Sequence, residues 1–232
     1  MGKSLEGRTA LVTGSSRGVG QQIALGLAAE GCNIIVHGTK VSNCIQTKSL
    51  LESYDVEVKV VGGDLSSESS VKELIESVTS LNLPIDILYN NAAVMEDYNS
   101  DFLNFSWDTW RRTMEINVFA LYQMCGAFIP QMVEREYGRI VNLTSGIAQT
   151  PELAPYSSSK WAVRKLTEDL AYKCSGTNVK VNALDPGWLR TDMGSMDAPN
   201  PVEAVLPGAI VPALIDKNGE EGKVFEALNY RT

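Results

Sequence analysis

The sequence predicts an α/β chain of doubly wound topology, a mostly parallel sheet in one domain with helices on both faces. Three observations carry that expectation. Short apolar, β-branched runs recur at 9–13, 33–37, 57–61, 85–89, 139–143 and 179–184, with helical periodicity between them; parallel strands joined by right-handed helical crossovers produce this alternation. A glycine-rich turn follows the first run and opens the first helix. The 232 residues, 44% hydrophobic and 21% charged, suffice to bury one full sheet, and no break in composition divides 1–232 into two domains.

The first element, Arg8-Thr-Ala-Leu-Val-Thr13, reads as a short buried strand, and Val19, Ile23 and Leu27, with Ala24 and Ala28 beside them, then repeat at helical period. Between the two, Gly14, Gly18 and Gly20 allow the backbone to turn without a Cβ, to approach a pyrophosphate closely and to pack helix on strand. The helix start offers unpaired N–H groups to phosphate. The spacing G-x-x-x-G-x-G is looser than the common G-x-G-x-x-G pattern.

The second run ends at His37, the sole histidine. A structural or cofactor-edge role suits that position better than catalysis, and Ser-His and Cys-His nucleophilic designs have no other histidine to use. Beyond the third run, Ser70-x-x-Glu73 is a candidate capping box, with the pairs Ser66-Ser67 and Ser69-Ser70 leaving the helix start open. The continuous fourth run, Ile85-Asp-Ile-Leu-Tyr89, suits a sheet covered on both faces. Residues 193–207, rich in Pro, Asp, Asn, Gly and Ala, read as a loop with at most a short helix. A last strand is expected within Gly222-Lys-Val-Phe-Glu-Ala227, after the turn Lys217-Asn-Gly219.

Tyr156 and Lys160 carry the strongest chemical signal. Residues four apart share a helix face, so the ammonium can sit close to the phenol. A free tyrosine, with a pKa near ~10, exchanges protons poorly at neutral pH, and a neighbouring cation favours the phenolate. The pair therefore suggests a tyrosine tuned for acid–base work.

Formal charge is -8 and no basic stretch interrupts it, so neither nucleic acid nor an anionic membrane has an electrostatic basis for binding. The first residues lack the apolar core of a signal peptide and no apolar run reads as a membrane span, which suggests a cytoplasmic protein. Met1-Gly2 opens like an acylation site, but Glu6 stands where Ser or Thr is required. Cys32, Cys44, Cys125 and Cys174 are too scattered for metal or redox chemistry and are expected to be reduced packing residues; no metal site is expected.

The two motifs, their order and nearly the whole chain resemble the single-domain branch of the short-chain dehydrogenase/reductase family. Asp64-Leu65, Asn90-Asn-Ala-Ala93, Asn117, Ser145 and Pro186-Gly-Trp-Leu-Arg-Thr191 fall in family order between and beyond the two motifs. The resemblance implies a Rossmann-type fold and an enzyme interconverting ketone or aldehyde and alcohol by hydride transfer. It assigns catalysis to Asn117, Ser145, Tyr156 and Lys160: Tyr156 donates the proton, Lys160 holds its pKa down and bonds the ribose, Ser145 polarises the substrate oxygen, and Asn117 helps hold a water linking the lysine to solvent. Around the cofactor it places Gly14, Ser15, Ser16, Arg17, Gly18, Val19, Gly20, His37, Thr39, Lys40, Asp64, Leu65, Asn91, Ala92, Ala93, Pro186, Gly187, Trp188 and Thr191, together with Tyr156 and Lys160. Asp64 would accept from the adenine amino group, Leu65 would line its pocket, Asn90 would brace the sheet, and Thr191 would meet the nicotinamide carboxamide. Ala93 stands where the family has glycine.

An acid about twenty residues past the glycines would bond a ribose hydroxyl and repel a 2′-phosphate. The window Ile34-Ile-Val-His-Gly-Thr-Lys40 has none, while Arg17 and Lys40 supply charge and Ser15 and Thr39 supply neutral donors. NADP(H) is therefore favoured over NAD(H). Ile147, Gln149, Pro151, Leu153, Val94, Trp188 and Met193 suggest a largely apolar pocket for an uncharged small-molecule carbonyl or alcohol, with acyl-carrier-linked β-ketoacyl groups, steroids and sugars left open. Small carboxylates are disfavoured for want of a cationic clamp, Arg190 being the exception to watch. Relatives assemble as dimers or tetramers through helices at about 107–136 and 155–174, so a homodimer or homotetramer is expected. A non-enzymatic NADP sensor of the same fold is the alternative. Nucleotide-sugar epimerases need extra length that this chain lacks.

Overall fold

A computed structural model describes residues 4–147 and 149–230; Met1 and Gly2, read above against an acylation signal, lie outside them. Seven strands form one sheet in the order β3-β2-β1-β4-β5-β6-β7. They are β1 Thr9–Val12, β2 Asn33–Gly38, β3 Val58–Gly62, β4 Ile87–Asn90, β5 Gly138–Leu143, β6 Val179–Asp185 and β7 Val224–Glu226. Every pairing is parallel. Order reverses between β1 and β4, which opens a crevice beyond their carboxyl ends.

The pleat explains the uninterrupted apolar runs. In β1, Ala10 and Val12 join the core layer built on Ile23, Leu27, Val205 and Ile210, while Leu11 between them joins the opposite layer with Leu74, Leu121, Phe128 and Val163. Successive side chains thus enter cores on opposite faces of a doubly covered sheet. The first layer contains α1 Gly18–Ala29, α2 Ile45–Leu51 and α7 Val211–Leu214. The second contains α3 Glu68–Thr79, α4 Trp107–Met114, α5 Ala120–Glu134 and α6 Ala154–Cys174.

Local chemistry moves some boundaries. The fourth strand starts at Ile87 because the Asp86 carboxylate accepts from Thr9 N at 3.1 Å and Arg8 at 3.4 Å, leaving 85–86 as its lead-in. Helix α3 starts one turn earlier than the Ser70-x-x-Glu73 reading placed it: Ser67 is the N-cap and accepts from Ser70 N at 3.2 Å. Helices α4 and α5 run on through a π-helical turn, Glu115–Phe119, giving one stretch Trp107–Glu134 long and apolar enough to cross a bilayer. That stretch is a partly buried core helix, with Ile116, Leu121, Met124, Cys125, Phe128 and Met132 packed inside. The 193–207 loop holds only a 3₁₀ turn, Val202–Val205.

Candidate active site

The glycine turn is held from three sides. At Gly14, φ is +63°, and an added Cβ would lie 2.9 Å from Ala92 Cα; at Gly20 it would lie 2.5 Å from the Gly14 carbonyl oxygen. Thr13 Oγ1 accepts from the N–H groups of Asn91 and Ala92, both at 3.0 Å, and the Asn91 amide donates to the Thr13 carbonyl at 2.8 Å. On the far side, His37 Nδ1 accepts from Gly14 N at 3.0 Å, which leaves Nε2 to donate to the Gly63 carbonyl at 3.1 Å. Burial lowers the His37 pKa to about 4, so the imidazole is a neutral brace for the turn.

The turn opens into a cleft of about 570 Å³, lined among others by Arg17, Gly18, Thr39, Asp64, Tyr156 and Lys160. Arg17 starts α1 in extended backbone and no side chain caps the helix, so its first N–H groups face the cleft entrance without a side-chain acceptor. A Cβ at Gly18, where φ is +59°, would approach nothing closer than Thr191 at 3.7 Å. An uncapped helix start over open space fits a dinucleotide pyrophosphate. At the outer end, Thr39 accepts from Asn43 at 3.0 Å, and Asp64 forms an Asx turn with Ser66, whose bonds hold its carboxyl below the usual range.

Beyond β5, Ser145 is tied to α6. Arg164 donates through Nη2 to the Ser145 carbonyl at 3.1 Å and through Nε to Thr144 Oγ1 at 3.2 Å; that hydroxyl donates to the Lys160 carbonyl at 3.0 Å. Lys160 Nζ donates to the Leu143 carbonyl at 2.9 Å and lies 5.5 Å from the centre of the Tyr156 ring. Burial sets both ionisations. Tyr156 is pushed up to about 12, opposed by its hydrogen bond with Ser145 and assisted by the charge of Asp185, and Lys160 is lowered to about 8 by burial, opposed by Asp185. The ammonium is aimed at the Leu143 carbonyl, and burial is the largest influence on the phenol.

Asn117 lies in the π turn with its side chain fully engaged, accepting from Val94 N at 2.8 Å and donating to the Val94 carbonyl at 2.9 Å and Ser159 Oγ at 3.0 Å. It pins the segment after β4 to α6. Asn90 donates to Asn142 at 2.8 Å and braces the sheet.

Most residues expected at the cofactor line the cleft: Gly14, Ser16, Arg17, Gly18, Val19, Gly20, His37, Thr39, Asp64, Leu65, Asn91, Ala92, Ala93, Tyr156, Lys160, Pro186 and Thr191. Four stand apart. Ser15 is buried, donating to the Val12 carbonyl at 2.7 Å and accepting from His37 N, and so cannot serve as a phosphate donor. Lys40 sits on the exposed rim. Gly187 packs on Leu228. Trp188 is 57% exposed, its indole N–H donating to the Gly194 carbonyl at 2.6 Å. Arg190 donates to the carbonyls of Ala198 and Pro199, so it closes its own loop instead of forming a clamp. Arg164, Asn43, Arg112 and Asp185 were not read from sequence. Only Arg164, four positions past Lys160 on the same helix face, left a local signal.

The short chain dehydrogenase family profile matches residues 8–201. The 3-oxoacyl-(acyl-carrier-protein) reductase FabG of Aquifex aeolicus (strain VF5) is 33% identical over 192 residues, covering 82% of this chain and 77% of that protein. A 3-oxoacyl (acyl-carrier-protein) reductase from Agrobacterium tumefaciens C58 with NADP bound superposes with a TM-score of 0.86 at 27% identity, covering 96% of this chain and 93% of that one. An NAD+-bound xylitol dehydrogenase superposes with a TM-score of 0.84 at 26% identity over 96% and 98% of the two chains. The match over most of its length, on a seven-stranded parallel sheet with this crevice, means that the chain belongs to the short-chain dehydrogenases, NAD(P)-dependent oxidoreductases acting on CH–OH and carbonyl groups.

Proposed function

We propose that this chain is a one-domain, NADP(H)-dependent reductase of an uncharged, largely apolar ketone or aldehyde, also competent for the reverse alcohol oxidation. The observation that carries the reading is the meeting of Ser145, Tyr156 and Lys160 at the end of β5, beside an uncapped helix start and a β2 end without an acid. Bound along that cleft, the dinucleotide supplies the hydride.

The chain's own residues do the rest. The buried phenol of Tyr156 keeps its proton through the neutral range, the form needed to protonate an oxygen that gains negative charge. Ser145, whose hydroxyl accepts from Ile147 N and acts on the phenol, would orient the carbonyl oxygen toward it. Lys160, a buried cation 5.5 Å from the centre of the Tyr156 ring, would bond the cofactor ribose, and Asn117 fixes the backbone that forms the cleft wall. Arg17 and Lys40, with Thr39, take the 2′-phosphate, since no carboxylate opposes it at the end of β2. The four cysteines are free and buried, in keeping with a reducing cytoplasm.

The test is NADPH oxidation followed by absorbance across a panel of neutral ketones and aldehydes. Turnover in the wild type, reduced about 10²–10⁴-fold in Tyr156→Phe with NADPH binding retained, is the expected result. NADPH binding with no turnover on any carbonyl would replace this reading with a non-enzymatic sensor.

A further inference from the structure

Asp185 acts on both Tyr156 and Lys160, and the mechanism above gives it no role. It ends β6, half-buried, directly before Pro186 in the cleft wall. One oxygen accepts from Gly187 N at 2.9 Å. The other, Oδ2, lies over the open face of Gly146, 2.6 Å from where a Cβ would stand, so glycine beside Ser145 is what leaves this oxygen room. Among the described residues no donor hydrogen-bonds Oδ2: the buried Lys160 ammonium feels the Asp185 charge but donates to Leu143, and Arg164 is engaged with Ser145 and Thr144.

Lys160 offsets part of the Asp185 charge, but the Oδ2 lone pairs, set against the residue that follows Ser145, are left without a donor. A substrate carrying a hydrogen-bond donor next to its carbonyl would satisfy that acceptor. A substrate carboxylate there would meet like charge.

We infer that Asp185 is a specificity-determining residue: it selects carbonyl substrates bearing an adjacent hydroxyl or ammonium donor and turns away keto acids. This assignment rests on Ser145 and Tyr156 being the reacting centre. It refines the uncharged substrate class proposed above by adding a donor on the carbon next to the carbonyl.

Three probes of common shape separate the effects: 2-hydroxyacetophenone, acetophenone and phenylglyoxylate. In the wild type, kcat/KM for the hydroxyketone should exceed that for acetophenone by about tenfold, the scale of one hydrogen bond to a charged group. Phenylglyoxylate should be the poorest of the three. Asp185→Ala should level the first two and raise phenylglyoxylate about tenfold or more. Asp185→Asn, whose oxygen still accepts from Gly187 N, puts an NH2 where Oδ2 stood; the substrate hydroxyl can accept from it, so the hydroxyketone preference should be retained while phenylglyoxylate is admitted, which separates hydrogen bonding from charge and from misfolding. Identical substrate ratios in the wild type and both variants would overturn the role of Asp185 and leave the reductase standing. NADPH oxidation with none of the three probes, or turnover that survives Tyr156→Phe, would overturn the reacting centre and the Asp185 assignment with it.

Discussion

His37 links the protonation of one residue to the stability of the fold and the shape of the cofactor turn. Its folded pKa, about 4, lies below the ordinary 6.5, so the unfolded chain binds more protons between those values. Stability from this group is complete above pH 6.5 and lost as pH falls toward 4, a difference of about 3 kcal/mol. Because the chain has a single histidine, His37→Asn removes this component alone. Urea unfolding between pH 7 and 4.5 should fall more steeply in the wild type than in the variant, and parallel curves would mean the imidazole is not held neutral. Protonation also removes the acceptor for Gly14 N, so cofactor affinity should weaken over the same range. A second residue-scale expectation concerns cofactor choice. Arg17 pairs with Asp192 at 2.8 Å, and both are largely exposed, so the pair contributes little and yields readily to a phosphate. Arg17→Ala should raise Kd for NADPH at least tenfold and barely move NADH; equal losses in titrations of both would defeat the 2′-phosphate assignment.

At the level of elements, the decisive contact is the seam between the end of β5 and α6. Thr144, Ser145 and Leu143 lie on one side, Lys160 and Arg164 on the other, and Arg164 crosses it with two bonds, one to the Ser145 carbonyl and one to Thr144 Oγ1. Arg164→Met should therefore lower kcat about tenfold with KM for NADPH nearly unchanged, because the Ser145 backbone is loosened while Thr144 keeps its bond to Lys160 and Lys160 keeps its bond to Leu143. Arg164→Lys should recover part of the loss, and an equal fall in NADPH affinity would mark a general structural role instead. The seam also shows what sequence could reveal. The glycine turn, the succession of strands and helices and the Tyr156–Lys160 pair were legible because each rests on local spacing or local composition, whereas the order of strands in the sheet was not. The destination of Lys160 Nζ, the burial of Ser15 and the approach of Asp185 to Gly146 were not, since each depends on two segments brought together from distant parts of the chain. Asn117 falls between these cases: its position was readable, but its triple bonding to Val94 and Ser159 required the π turn.

Across the whole molecule, the helical stretch Trp107–Glu134 is more apolar than one core face requires. Only 44% of its most apolar window is buried, and Phe119 and Tyr122 are more than half exposed, as is Trp161 on neighbouring α6. A helix apolar on nearly all sides needs a second covering. Lipid is a poor candidate, because a net charge of -8 works against an anionic bilayer. A second copy of this chain brings the same exposed aromatics to a two-fold contact, where each side buries the other's face. The long helices should therefore form the interface of a dimer, or of one pair within a tetramer. Sedimentation at micromolar concentration should give a species of at least two chains. Phe119→Glu combined with Tyr122→Glu places like charges across the two-fold axis and should shift it toward monomer. The site lies at the strand ends and not on this outer face, so the monomer should still bind NADPH; a wild type that sediments as a single chain would show that the apolar face tolerates water.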